Sequence, residues 1–210
     1  MMMKEKLKFK KLLNEFRALE YEFEYNSEVL KDAGETFECS YLKWCEDNGV
    51  NIKALQDEKS KKVIIKPSQR PQKEDKSRTK AKEKQTKHKD VFRSVAKKIH
   101  PDKLKDEDPR KTEFKDAFQR ANSAMSDGEW GGLFDVIDKY DIDIKDYDEA
   151  NESLEKDIKR MEEKLKSQKS TYAWHLQNCG DDPVCREMVI QAFLKQVYGW
   201  DGTRVGTQNR

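Results

Sequence analysis

At 210 residues the chain is long enough for one or two domains, yet only 35% of it is hydrophobic and 40% is charged. Counting the 9 glycines raises the apolar share to about 39%, below the roughly 45–50% of ordinary soluble domains. The 43 basic and 41 acidic side chains nearly cancel to a net charge of +2, a balance that favours long solvated helices over a compact enzyme with one large core.

No apolar run approaches the ~20 residues of a membrane span. The opening Met1-Met2-Met3-Lys4-Glu5-Lys6 lacks the apolar stretch of a secretory signal. No membrane contact is expected, and the reducing cytoplasm is the expected location.

Within residues 1–58, Phe9, Leu12, Phe16, Leu19, Phe23, Asn26 and Leu30 alternate by three and four between charged residues, the pattern of a heptad seam. After Gly34, Phe37, Tyr41, Leu42, Trp44 and Cys45 recur at helical spacing up to a stop at Asn48-Gly49. The two stretches together are expected to form a helical hairpin.

Residues 59–89 change character: thirteen Lys or Arg stand against Glu74, Asp75 and Glu83, with Pro67 and Pro71. Such a segment buries too little apolar surface to offset its ordering entropy, and it is expected to be a basic linker. It serves either as a solubilising tether or as an attractor of nucleic acid or an acidic protein. It has no aromatic residue for base stacking.

Residues 90–145 carry the most information. Phe92, Val95, Ala96 and Ile99 make one apolar helix face, and Lys89, Arg93, Lys97 and Lys98 make a cationic opposite face. Pro101 disfavours helical geometry at His100 and ends that helix, so His100-Pro101-Asp102 lies on a loop. Asp108 and Pro109 are expected to open a second helix with Phe114, Ala117, Phe118, Ala121 and Met125 on one face. Two apolar faces joined by a short polar loop predict an antiparallel hairpin.

Over residues 146–178, Tyr147, Asn151, Leu154, Ile158, Met161, Leu165, Gln168, Tyr172 and His175 form a second seam, expected as one long helix. The two seams, each with a polar residue in its stripe (Asn26 and Gln168), are expected to pair antiparallel as an elongated coiled-coil stalk; homodimerisation through either seam is the competing use. Residues 179–210 are expected to hold a terminal helix that starts at Asp181-Asp182-Pro183 and ends at Gly199. Its expected apolar contacts are Val184, Met188, Phe193, Leu194 and Val197, and a tail follows. The fold class expected for the whole chain is all-α.

Cys39/Cys45 and Cys179/Cys185 each have five residues between them, wider than the two to four usual in zinc sites. Free thiols, buried or half-buried, are expected, with a four-thiolate metal site and a disulfide as open alternatives. No metal or cofactor is expected.

Residues 92–103, Phe-Arg-Ser-Val-Ala-Lys-Lys-Ile-His-Pro-Asp-Lys, resemble the second helix and signature loop of the J-domain, the DnaJ-like co-chaperone module. Residues 118–125, Phe-Gln-Arg-Ala-Asn-Ser-Ala-Met, resemble its third helix. The resemblance implies that His100, Pro101 and Asp102 form a loop that docks, with Lys89, Arg93, Lys97 and Lys98, on the ATPase of a DnaK-type heat-shock chaperone and stimulates its ATP hydrolysis. A stripe of cations steers an acidic partner, and Asp102 suits a charge-assisted hydrogen bond to an arginine.

The family's first helix, with its Tyr-Tyr-x-x-Leu-Gly pattern, has no counterpart before residue 90. A helix at Trp130-Gly131-Gly132-Leu133-Phe134-Asp135-Val136-Ile137 is the expected cover for Phe92, Val95 and Phe118, and it resembles a post-J extension of some bacterial and phage J-domain proteins. The alternative is a structural or assembly protein in which a degenerate J-like hairpin is only a scaffold; nucleic-acid binding through the linker is a third reading. No nucleophile stands with a base, and no glycine loop suits a phosphate, so the chain is not expected to be an enzyme. His88 and His175 have no ligand-like neighbours and are expected to be solvated or in a seam.

Overall fold

The computed structural model describes residues 2–63 and 88–202. Every regular element among them is helical and none is a strand, so the all-α expectation holds. The helices are α1 (Met2–Asp47), α2 (Ile52–Val63), α3 (Lys89–Ile99), α4 (Lys111–Asp127), α5 (Trp130–Lys139), α6 (Tyr147–Lys169), α7 (Tyr172–Asn178) and α8 (Pro183–Phe193). A 3₁₀ turn covers Pro101–Lys103 and a π turn Leu194–Tyr198. Most of the expected linker, residues 64–87, lies outside the described residues, as do 203–210.

The described residues divide into two compact units, 2–21 with 88–162 and 22–63 with 163–202. Each unit takes part of α1 and part of α6, a grouping that cuts across the five consecutive segments expected.

In the first unit α1 buries Phe9, Leu12, Leu13 and Phe16, the expected seam widened by Leu13. Phe9 packs edge-on against Phe134 of α5 and Tyr147 of α6, with ring centroids 5.5 and 5.6 Å away. Here α6 runs in the same direction as α1, which corrects the antiparallel expectation: Asn151 donates to the Glu5 carbonyl at 3.3 Å, and one turn further on Lys8 pairs with Glu155 at 2.9 Å. The physical reason is the path between them. Residues 88–146 return the chain to the start of α1, so α6 sets off beside it.

Because α6 meets both α1 and α5, it buries more than one stripe. Beside the expected Asn151, Leu154, Ile158 and Met161, it buries Ala150, Ser153 and Asp157. Asp157 acts as a cap supplied by another helix: its Oδ2 accepts from the Gly131 amide at 2.9 Å, whereas the side chain of Glu129, at the N-cap position of α5, does not cap that helix. Its Oδ1 lies 3.3 Å from the Arg160 guanidinium but receives no aligned hydrogen bond. Burial pushes the Asp157 carboxyl above its ordinary value, outweighing the Gly131 amide and Arg160, which pull it down.

The folded state therefore holds this proton to higher pH than the unfolded chain, and stability falls as pH rises from the unfolded value, about 4, to the raised one. Asp157→Asn keeps an oxygen for Gly131 and cannot ionise. It is expected to flatten that part of the stability profile in urea unfolding at a series of pH values; a slope unchanged from the native chain would contradict the assignment.

The second unit gathers Phe37, Tyr41, Cys45, Val50, Leu55, Leu176, Ile190 and Leu194 into one core. α1 passes Gly34 without a break, which corrects the hairpin expected there. A mid-helix glycine costs about 1 kcal/mol, and burial of the flanking Ala33 and Phe37 outweighs it. The chain turns only at the expected stop, where Gly49 has φ 69° and the Asn48 side-chain Nδ2 donates to the Trp44 carbonyl at 2.8 Å.

The long helix expected over 146–178 breaks at Ser170 and Thr171, which is a further correction. Their hydroxyls donate back to the Ser167 and Gln168 carbonyls, and the Thr171 oxygen also caps α7 at the Trp174 amide. Gln168, in the seam as expected, donates to the Phe23 carbonyl and to the Ser27 hydroxyl of α1 at 3.1 and 2.8 Å.

α8 starts as expected, with Asp182 accepting from the Val184 and Cys185 amides ahead of Pro183 at its first turn. Of its expected contacts, Leu194 is buried, but Val184 and Met188 are exposed, and Ile190 takes the inward position.

Cys179 and Cys185 form a disulfide, so free thiols are the outcome only for Cys39 and Cys45. The Asp182 cap folds the intervening loop back, and Arg186 donates to the Gly180 carbonyl at 3.0 Å, which together bring the two sulfurs into register. Closing so short a loop stabilises by about 2 kcal/mol. Such bonds persist in oxidising compartments, in tension with the reducing cytoplasm expected. No helix among the described residues is long and apolar enough to cross a membrane, and no metal-binding cluster occurs among them.

Candidate functional site

The site is built on the first unit's helix pair. α3 forms where the sequence places it: Val95 and Ile99 are fully buried, Phe92 packs on Phe118 of α4 at 5.8 Å, and α5 covers the pair from the other side. Trp130, Leu133, Phe134 and Ile137 of α5 are all buried, as expected of the covering helix. α4 begins at Lys111, two residues after Pro109, because Asp108 turns its carboxylate onto the Arg110 amide and guanidinium instead of capping a helix directly. Gly128, in the left-handed region at φ 65°, ends α4 and lets α5 turn back.

His88 is a correction to the solvated or seam position expected. It is buried, its Nε2 lies 2.9 Å from Ser153 Oγ of α6, and its ring stands edge-on to Trp130 and Phe134 at 4.8 and 5.0 Å. The ring thus pins the start of α3 to α5 and α6. Ser153 is buried as well, so the pair offers no reachable hydroxyl and serves structure. His175, in the second unit, is exposed.

Pro101 ends α3 as expected: His100 has φ −59° and ψ 128°, and its amide still reaches the Ala96 carbonyl. The next three residues form a 3₁₀ turn held by Lys103 N–H to the His100 carbonyl and Leu104 N–H to the Pro101 carbonyl, at 3.0 and 3.1 Å. The His100 ring packs on Phe118 at 4.8 Å, and its Nδ1 accepts the Asp102 amide at 3.3 Å. The Lys103 ammonium folds back onto the Lys97 carbonyl, where it meets the negative end of the α3 dipole. These ties hold the backbone of the loop while the Asp102 carboxylate stays 86% exposed, 3.5 Å from a ring nitrogen already used as an acceptor.

The structure places Lys89, Arg93, Lys97 and Lys98 on α3, all four exposed. The expectation of a wholly positive stripe needs correction. Asp90 pairs with Arg93 at 2.8 Å, and Lys98 donates to the Asp141 carbonyl at 2.8 Å, just past the end of α5. Beside the first turns of α3 lies a cleft of about 440 Å³, lined by Lys89, Asp90, Arg93 and Ser94 on one side and by Asp143, Lys145, Asp146 and Glu149 on the other.

Sequence reasoning missed the anchoring of His88, the role of Lys103 and the connector between α5 and α6. Only the connector had a legible signal, its density of carboxylates over residues 141–149. No family model matches this chain, and no curated protein or solved structure is significantly similar to it.

Proposed function

We propose that this protein is a co-chaperone that docks on the ATPase of a DnaK-type heat-shock chaperone through the His100-Pro101-Asp102 loop and the cationic face of α3, and stimulates ATP hydrolysis there. ATP chemistry belongs to the partner; this chain supplies a rigid, charged contact. The observation that carries the reading is the contrast within the loop. Its backbone is held by Pro101, by His100 on Phe118 and by Lys103 on Lys97, while the Asp102 carboxylate points unburied into solvent beside exposed cations. A preorganised loop loses little entropy on docking, and an exposed carboxylate contributes little to the fold, so its position favours recognition over stability.

The test is single-turnover ATP hydrolysis by a DnaK-type chaperone with the native chain and with Asp102→Asn. Stimulation that falls about tenfold, equivalent to one charge-assisted hydrogen bond of roughly 1.4 kcal/mol, with an unchanged melting temperature, is the expected result. Equal stimulation by both chains overturns the assigned role of Asp102. No stimulation by either chain overturns the co-chaperone reading and leaves the structural or assembly protein.

A further inference from the structure

α1 is one unbroken helix from Met2 to Asp47, and the side that buries Phe9, Leu12, Leu13 and Phe16 is only one of its two seams. On the opposite side, positions 7, 11, 14, 18, 21, 25, 28 and 32 alternate by four and three, the spacing of a helix-pairing stripe, and every one of them is exposed. Tyr21 and Tyr25 stand in the middle of this stripe, 69 and 68% exposed. Charge divides along it. Lys4, Lys10 and Lys11 lie toward the start of α1, whereas Glu28, Asp32 and Glu35 lie further along. Of these six, only Glu28 has an ion pair among the described residues, with Lys31 of its own helix at 2.6 Å.

We propose that the exposed stripe of α1 is an interface for a second copy of this chain, lying antiparallel to the first. In a two-fold symmetric contact, residue i of one copy meets residue j of the other, and j meets i. With the axis midway between Ala18 and Tyr21, Tyr21 of one copy meets Ala18 of the other and Tyr25 meets Asn14, so each ring is offered a smaller side chain. The same register sets Lys11 against Glu28 and Lys4 against Glu35, each twice by symmetry. Parallel pairing in register would instead oppose Lys11 to Lys11 and Glu28 to Glu28. Burial of the tyrosine rings drives association, while the charge pairs fix direction and register. These pairs are solvent-exposed and individually weak, so the dimer loosens as salt rises. The surface is independent of the co-chaperone reading: none of its residues belongs to α3 or to the His100-Pro101-Asp102 loop.

Sedimentation velocity on the full chain at a series of concentrations, at low and high salt, tests the pairing. The variants are Lys11→Glu, Glu28→Lys and the two changes together; all alter exposed side chains, and circular dichroism checks that helicity is kept. The native chain is expected to dimerise at micromolar concentration at low salt and to do so about tenfold more weakly at high salt. Each single reversal places like charges together twice per dimer and is expected to weaken association about tenfold or more. The double variant, and an equimolar mixture of the two single variants, each restore opposite charges at both contacts and are expected to return to within about threefold of the native affinity. A native chain that stays monomeric at low salt overturns the proposal. So does a dimer indifferent to both reversals, which would place the contact on another face. Weakening that neither the double variant nor the mixture repairs overturns the antiparallel register.

Discussion

Phe134→Ala is expected to destabilise the first unit by about 3–5 kcal/mol. The ring is fully buried and is shared by three parts of the chain: Phe9 of α1 stands edge-on to it at 5.5 Å, His88 at the start of α3 lies at 5.0 Å, and the ring itself belongs to α5. The cavity left by truncation is bounded by helices that other contacts hold apart, including Lys8 with Glu155, Arg17 with Asp135, and His88 with Ser153. It therefore closes only in part, which is the condition for a cost at the upper end of the range. Urea unfolding followed by circular dichroism measures it; a loss under about 1 kcal/mol would show that Phe134 is not a centre of this core. Because His88 rests on the same ring, the proposed stimulation of a DnaK-type chaperone should also fall, although Phe134 lies in the core and not on the proposed docking face.

Gly131→Ala is expected to reverse the usual sign of a glycine-to-alanine change in a helix. On propensity alone the substitution should stabilise α5 by about 1 kcal/mol. The new methyl carbon would fall 2.3 Å from a Phe16 ring carbon, well inside contact distance. Phe16 is buried and cannot swing into solvent, so α1 and α5 must move apart, at a cost of about 1–3 kcal/mol. Separation would also lengthen the Gly131 amide bond to Asp157. Phe16→Leu in the same chain should restore part of the loss, so the double variant is expected to be more stable than the sum of the single changes by about 1 kcal/mol. Strict additivity, or stabilisation by Gly131→Ala alone, would show that the close approach does not operate in solution.

The two substitutions mark where reading the sequence reached its end. Phe134 is legible as an apolar position of a helix that has to cover Phe92 and Phe118. Gly131 is not: two adjacent glycines at 131 and 132 look alike in sequence, yet a Cβ at Gly132 would meet only ordinary contacts. Only the approach of Phe16, more than a hundred positions away in the chain, separates them. The same holds within the candidate site. His100, Pro101 and Asp102 sit on the loop that the proline predicts. The ties that give each its environment, Phe118 under His100 and Lys103 on the Lys97 carbonyl, depend on how the helix pair closes.

Helix positions and stops were written in local sequence: the three-four apolar spacing of α1 and α6, the Asn48-Gly49 stop, the proline at 101, and Asp182-Pro183 at the start of α8. A helix forms or ends according to side chains within about four positions, so a single sequence carries that information. Gly34 and Thr171 are the informative exceptions, since a glycine's cost was offset by burial at one and local hydroxyl bonds outcompeted a continuing seam at the other. The direction of α6 along α1, the second buried stripe of Ala150, Ser153 and Asp157, and the burial of His88 belong to the tertiary structure alone. Each joins faces whose local pattern is satisfied by several partners. Which partner is taken depends on the path of the chain between them and on the total surface the closed arrangement removes from water.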